Sequence, residues 1–126
     1  MHPFGAALEA REVEGAVALL DDDVVFSSPI VFRPYAGRAA AAAVLSAVER
    51  VFEDFAYEAE LASEDGRHHA LMFRARVDGK EVQGCDFLHD GENGLVDHLT
   101  VMVRPLSAAL ALRDRMAAQL PAPDAP

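Results

Sequence analysis

The sequence predicts an α+β domain, with helices in the first half and at the end and a run of antiparallel strands between them. Three observations carry this. Residues 38–52, RAAAAAVLSAVERVF, combine strong helix formers with an apolar stripe at Val44, Leu45, Val48, Val51 and Phe52. From Phe55 to Val103 apolar residues recur at alternate positions, the period of a strand. The turn clusters EDGR, DG and HDGENG divide that half into four strands in a meander.

Taken in order, Phe4, Ala7, Leu8, Val13, Ala16, Val17 and Leu20 fall near helical spacing and predict one or two short helices, broken near Arg11. Asp21, Asp22 and Asp23 are expected to end this segment as a solvated turn before a short strand at Val24–Phe26; without further ligands they do not suggest a metal. Ser27, Ser28 and Pro29 lead into the loop IVFRPYAGR, punctuated by Pro34 and Gly37, where Arg33 and Tyr35 could rim a pocket or simply be solvated. The helix at 38–52 carries Glu49 on its outer face rather than lysines, which excludes a membrane-surface helix.

The strand at Phe55–Ala62 is expected to turn Phe55, Tyr57, Ala59 and Leu61 inward and Glu58 and Glu60 outward. His68–Val77 sets Leu71, Phe73, Ala75 and Val77 against Met72, Arg74 and Arg76, and Asp78–Gly79 turns the chain into the next strand. The last two strands are Val82–Leu88 and Leu95–Val103. Pro105 then opens a helix to about Gln119, with Leu106, Ala109, Leu110, Leu112, Met116 and Leu120 on its packing side.

Composition narrows the function classes. A chain of 126 residues fits one domain, at 1–120, followed by a Pro/Ala tail at 121–126. A formal charge of −10 argues against nucleic acid and anionic membrane surfaces as partners. No basic segment precedes an apolar one at the N-terminus, and no apolar run approaches the ~18 to 20 residues of a membrane span. The single Cys85 excludes an internal disulfide framework, and together these features point to the cytoplasm. There is no phosphate loop, CxxC, HExxH or GxSxG motif, and no cofactor is expected.

One residue stands out. Period 2 places Val82, Gly84, Asp86 and Leu88 on one face of their strand, and Leu95, Leu99, Val101 and Val103 on the matching face of the next. A carboxylate inside an apolar face needs a partner or a cavity, because burying it bare costs several kcal/mol or more. Asp86 is therefore either an acid or base in a pocket, or a buried acceptor from a Tyr, Arg or backbone group. His68 and His69 are adjacent on a strand, so they face opposite ways and cannot hold one ion together; no metal site is expected. His98 falls on the opposite face from Asp86, with Phe87, Thr100, Met102 and Arg104, a face better suited to a subunit interface. Cys85 lies there too, with no base aimed at it.

The segments EVEGAVALLDDDVVFSSPIVFRPYAGRAAAAAVL and DFLHDGENGLVDHLTVMVRPL resemble the first half and the last hairpin of the nuclear transport factor 2-like superfamily, which includes ketosteroid isomerase, SnoaL-like polyketide cyclases and limonene epoxide hydrolase. The resemblance implies a cone-shaped, cystatin-like fold, with a curved antiparallel sheet wrapped by N-terminal helices and followed by a C-terminal helix. It implies a homodimer joined through the outer sheet face (Phe87, His98, Thr100, Met102, Arg104). It also implies a concave pocket lined by Leu71, Phe73, Val82, Asp86, Leu88, Leu99, Val101 and Val103, closed by Phe4, Val48 and Phe52, with Ser28 and Tyr35 beside it.

Position by position, ketosteroid isomerase's general base falls on Ser28, which cannot take a proton, and its oxyanion-hole tyrosine falls on Phe4, which offers no donor. Its protonated aspartate falls on Asp86. Ketosteroid isomerase activity is therefore not expected. Epoxide hydrolase chemistry would need a second acid from the last strand, where only Asp97 stands, on the pocket side if period 2 holds. The fold hosts isomerases, cyclases, dehydratases, hydrolases and binding proteins. The expected function is binding of a small apolar ligand; the alternatives are an acid–base enzyme using Asp86 and a structural dimer with a vestigial cavity.

Overall fold

A computed structural model describes residues 1–120, so the tail expected at 121–126 lies outside the described residues. The elements are α1 (Pro3–Glu9), α2 (Val13–Val17), β1 (Leu20–Ser27), β2 (Tyr35–Ala36), α3 (Arg38–Val51), β3 (Glu53–Ala62), β4 (His68–Val77), β5 (Lys80–Asp90), β6 (Val96–Arg104) and α4 (Leu106–Ala117). The protein is an α+β cone built on one curved sheet of order β2-β1-β6-β5-β4-β3. Strands β3 to β6 form the antiparallel meander that the turn clusters predict.

The first half departs from the sequence reading in three ways. The helix break is not among them: Arg11, with a positive φ of 62°, separates α1 from α2 where the spacing predicts a break. The acidic triplet does not end a helix, because β1 already begins at Leu20. Its pairing with β6 jumps from Leu20–Val96 to Val25–His98, and in the bulge between them Asp22 and Asp23 face solvent while Val24 stays buried. There Asp21 accepts from Asn93 Nδ2 (2.8 Å), and Asp22 is ion-paired with Arg38. The sheet is also not wholly antiparallel, since β1 runs parallel to β6, and the short β2 inside the Pro/Gly loop pairs with β1.

Two other faces depart from simple periodicity. In β3 a register shift between Tyr57 and Ala59 reverses the alternation, so Tyr57 stays inward while Leu61, 68% exposed, turns out. In α4 the packing stripe is Ala108, Leu112 and Met116, spaced four apart, whereas Leu106 and Leu110 are exposed at 74% and 41%. Only one side of α4 meets the sheet, and a stripe based on Leu106 and Leu110 would lie on the other.

The inner face of β4 and β5 follows period 2 without interruption. Leu71, Phe73, Ala75, Val77, Val82, Gly84, Asp86 and Leu88 are all buried. The hairpin between these strands turns on Asp78 and Gly79, both with positive φ (51° and 74°), as a two-residue turn matching the twist of its strands requires. Gly84 has a separate reason to be glycine: a Cβ there would lie 2.3 Å from Phe73 Cζ. The Phe73 ring lies across the space that a side chain at 84 would occupy.

Candidate functional site

Asp86 pairs across the sheet with Leu71 on β4 and Val101 on β6, and it is the one buried charged residue among those described. Among the described residues a single side-chain donor reaches its carboxyl: the Tyr57 hydroxyl, at 2.6 Å from Oδ2. Strand β3 supplies that tyrosine, and its neighbours hold the ring. Phe55 and Phe73 both meet it edge-on, with centroids at 5.0 and 6.3 Å. The Tyr57 backbone N–H donates to Glu9 Oε2 at 2.8 Å, which ties β3 to the end of α1. Tyr57 was missed as a site residue. It was nonetheless legible as the one hydrogen-bonding side chain on the inward positions of its strand.

Above Asp86 the helices leave a cavity of about 480 Å³, within the ~300 to 1,000 Å³ range of small-molecule sites. Of the expected lining residues, Phe4, Ser28, Tyr35, Val48, Phe52, Phe73, Asp86, Leu99 and Val101 line it. Four do not. Leu71 and Leu88 belong to the packed cluster around Phe4 and Leu20, and Val82 and Val103 to the one around Ala108 and Leu112. All four point inward as the strand period predicts, but α1 and α4 fill the space over them, a contact that a strand pattern cannot reveal. Conversely, Leu112, Met116 and Leu120 from the C-terminal segment help to wall the cavity, as do Phe26, Val44 and Phe55.

Polar groups on the wall are few. Ser28 Oγ accepts from the backbone N–H groups of Ile30 (3.3 Å) and Val31 (3.2 Å), leaving its own proton free to donate. The half-buried Tyr35 packs edge-on to Phe26, and burial raises its pKa. Arg11 and Glu49, which form an exposed ion pair at 3.3 Å, and Arg113 complete the charged lining.

Asp97 is not in the cavity, contrary to the period-2 expectation. Pairing steps from His89–His98 to Asp90–Val96, so Asp97 is the extra residue of a bulge and its side chain meets His89 and His98 instead. The second acid that an epoxide hydrolase-like arrangement would need is therefore missing from the pocket. His98 lies on the outer face with exposed Phe87 (42%) and Met102 (58%), across the sheet from Asp86.

Burial raises the pKa of Asp86, and the Tyr57 hydrogen bond opposes this only in part, leaving a value of about 7. The same burial, with the charge of Asp86, pushes the Tyr57 phenol far above its usual value. Near neutrality Asp86 is thus poised between a hydrogen-bond donor and a carboxylate. Tyr57 remains a donor throughout.

The family model for a SnoaL-like domain matches residues 3–99. The chain belongs to the SnoaL-like family. Its fold is that of the nuclear transport factor 2-like and ketosteroid isomerase-like superfamily. It is similar to a steroid delta-isomerase from Pseudomonas aeruginosa (41% identity, TM-score 0.86, covering 90% of this chain and 82% of that one). It is also similar to an uncharacterized bacterial protein with a cystatin-like fold from Silicibacter pomeroyi (34% identity, TM-score 0.85, covering 94% and 85%). A candidate polyketide cyclase from Pseudomonas putida shares the fold at 20% identity (TM-score 0.68, covering 84% and 89%). No curated protein matches the sequence.

The ionisation of Asp86 gives a stability test with a defined sign. Below the ordinary carboxylate value of 3.8, Asp86 is protonated in both folded and unfolded chains and contributes no pH dependence. Between that value and about 7 the unfolded chain releases a proton that the folded chain keeps, so stability falls as pH rises; above it the loss is complete. Asp86→Asn, which can still accept from Tyr57, should gain stability relative to wild type across this window, by up to about 4 kcal/mol, and show a flat difference outside it. Denaturant unfolding of both proteins at several pH values checks this; a constant difference across the window would contradict it.

Proposed function

We propose that this SnoaL-like protein binds a small, largely apolar molecule carrying a hydrogen-bond-accepting oxygen such as a ketone, with Asp86 at the polar end of the cavity. The observation that carries this reading is the position of Asp86, a protonatable group on the wall of an otherwise largely apolar cavity. Protonated Asp86 offers the ligand oxygen a donor, and the Ser28 hydroxyl offers a second. The low-dielectric surroundings strengthen such bonds. The cavity's volume counts against a vestigial, filled pocket.

An acid–base enzyme is the second reading. It is favoured by the pKa of Asp86, about 7, where a group both gives and takes protons readily, and by similarity to a protein named as a steroid delta-isomerase. Against ketosteroid isomerisation stand Ser28, which is no base, and Phe4, which is no donor. The carboxylate of Glu49, the other acid on the wall, is engaged by Arg11. Calorimetric titration with a non-isomerisable steroid ketone and its deoxy analogue tests the binding reading. The ketone should bind about tenfold tighter, the effect of one buried hydrogen bond of ~1.4 kcal/mol. That preference should fall several-fold when Asp86→Leu and Tyr57→Phe are combined, and vanish when Ser28→Ala is added. Equal affinities, or no binding of either, would contradict it. Turnover of a β,γ-unsaturated ketosteroid, abolished by Asp86→Asn, would replace it with the isomerase reading.

We also propose that a second copy docks on the outer sheet face. Several charges there are matched within the chain, Arg74 with Glu58 and Arg76 with Glu81, both at 2.7 Å, while Phe87 and Met102 remain exposed between them and the sheet's far end. An apolar strip with a polar rim suits a two-fold interface. Light scattering should give the mass of a dimer, and Met102→Glu with Phe87→Glu should give a monomer. A monomeric wild type at micromolar concentration would contradict the proposal.

A further inference from the structure

All five histidines of the chain gather near one end of the sheet, in two clusters on its opposite faces. Each cluster is organised around one aspartate. On the inner side, His2 and His69 both approach Asp90, with Nε2–oxygen distances of 3.0 and 3.1 Å. On the outer side, His89 and His98 both approach Asp97 Oδ1 through Nδ1, at 2.6 and 3.1 Å.

The two clusters differ in which nitrogens are free. The His2 Nδ1 accepts from the backbone N–H of Phe4 at 3.0 Å, capping α1. Its lone pair is therefore committed, and a neutral ring must carry its proton on Nε2, the atom that faces Asp90. A metal at Asp90 would find no lone pair on His2 unless the cap broke. No such constraint binds the outer cluster. Neither His89 nor His98 makes a hydrogen bond through Nε2 to any described residue, so each ring can keep its proton there and present Nδ1 as a lone pair.

We propose that His89, Asp97 and His98 form a binding site for a divalent first-row transition-metal ion such as Zn²⁺. The three ligand atoms lie within 4.8 Å of one another. Ligands at ~2.0 to 2.1 Å from a tetrahedral Zn²⁺ stand about 3.3 Å apart, so the spacing found here needs only small side-chain adjustments. Two imidazoles and one carboxylate favour this class of metal over Mg²⁺ or Ca²⁺, which take oxygen ligands.

The backbone supplies the arrangement. His68, His89 and His98 are directly paired across β4, β5 and β6 and form one row. The bulge in β6 inserts Asp97 beside that row, and Gly91 leaves room for its carboxylate, since a Cβ at 91 would stand 2.9 Å from Oδ2. His98 is 64% exposed and Asp97 34%, so water can complete the coordination shell. His68, whose ring lies 4.6 Å from that of His89, is the neighbouring imidazole. The row stands two pairs beyond Phe87 and Thr100 and is the next pair on that face, opposite the Asp86 cavity.

The test uses the untagged protein and the metals alone. Zn²⁺ titrated against a chromophoric chelator should saturate at one ion per chain, and Co²⁺ should develop the visible absorption of a low-coordination site. Asp97→Asn and His98→Ala, at a half-buried and an exposed position, should each weaken binding at least about tenfold, while His69→Gln should leave it unchanged. Circular dichroism confirms that each variant is folded. No binding, binding unaltered by Asp97→Asn and His98→Ala, or one ion per two chains would overturn the proposal.

Discussion

A single hydrogen bond, from Tyr57 to Asp86, is the constraint around which the inner face of the sheet is arranged. A buried carboxyl with no cation beside it is costly to ionise, and with one phenolic donor it settles near neutrality rather than in the ordinary acid range. Holding that donor in place takes several apolar residues. Phe52, Phe55 and Phe73 pack against one another, Phe55 and Phe73 both meet the Tyr57 ring, and Gly84 gives up its side chain so that Phe73 can lie flat across β5. The glycine next to the acid in the inward alternation is thus part of the same device. A larger residue at 84 would displace Phe73 and, through it, the phenol.

A bulge in β6 decides which face of the sheet Asp97 serves. Uninterrupted alternation through β6 would have sent Asp97 toward the cavity, where a second carboxylate would change the titration of Asp86 and the chemistry open to the site. The extra residue between the His89–His98 and Asp90–Val96 pairs sends it outward instead, to two histidines. One backbone irregularity therefore keeps a second carboxylate of the sheet away from Asp86 and assembles a second polar cluster behind it.

Much of this was legible in the residues. The long helix, the meander, the hairpin at Asp78–Gly79 and the inward position of Asp86 follow from period and turn chemistry, because local sterics and burial decide them. What escaped was non-local. Periodicity cannot show the bulges that turn Leu61 and Asp97 outward, because a bulge is a relation between two strands. It cannot show that α1 and α4 seal Leu71, Leu88, Val82 and Val103 away from the cavity while Phe73 and Val101 remain on its wall, because that depends on where the helices land. The parallel pairing of β1 with β6 and the short β2 were hidden for the same reason. Tyr57 stood out as the one hydrogen-bonding side chain among the inward positions of its strand, but that it reaches Asp86 is a tertiary contact that no strand pattern shows. The histidine row needed the register of three strands at once.

The most direct test of this account is the titration of the Asp86 side-chain carboxyl, followed by carbon-detected NMR in protein labelled at aspartate, with Asp86→Asn identifying the resonance. A protonatable acid facing an apolar cavity, with only Tyr57 as donor, should titrate with a midpoint near 7. A midpoint at or below ~4, the range of solvated or ion-paired carboxylates, would contradict it.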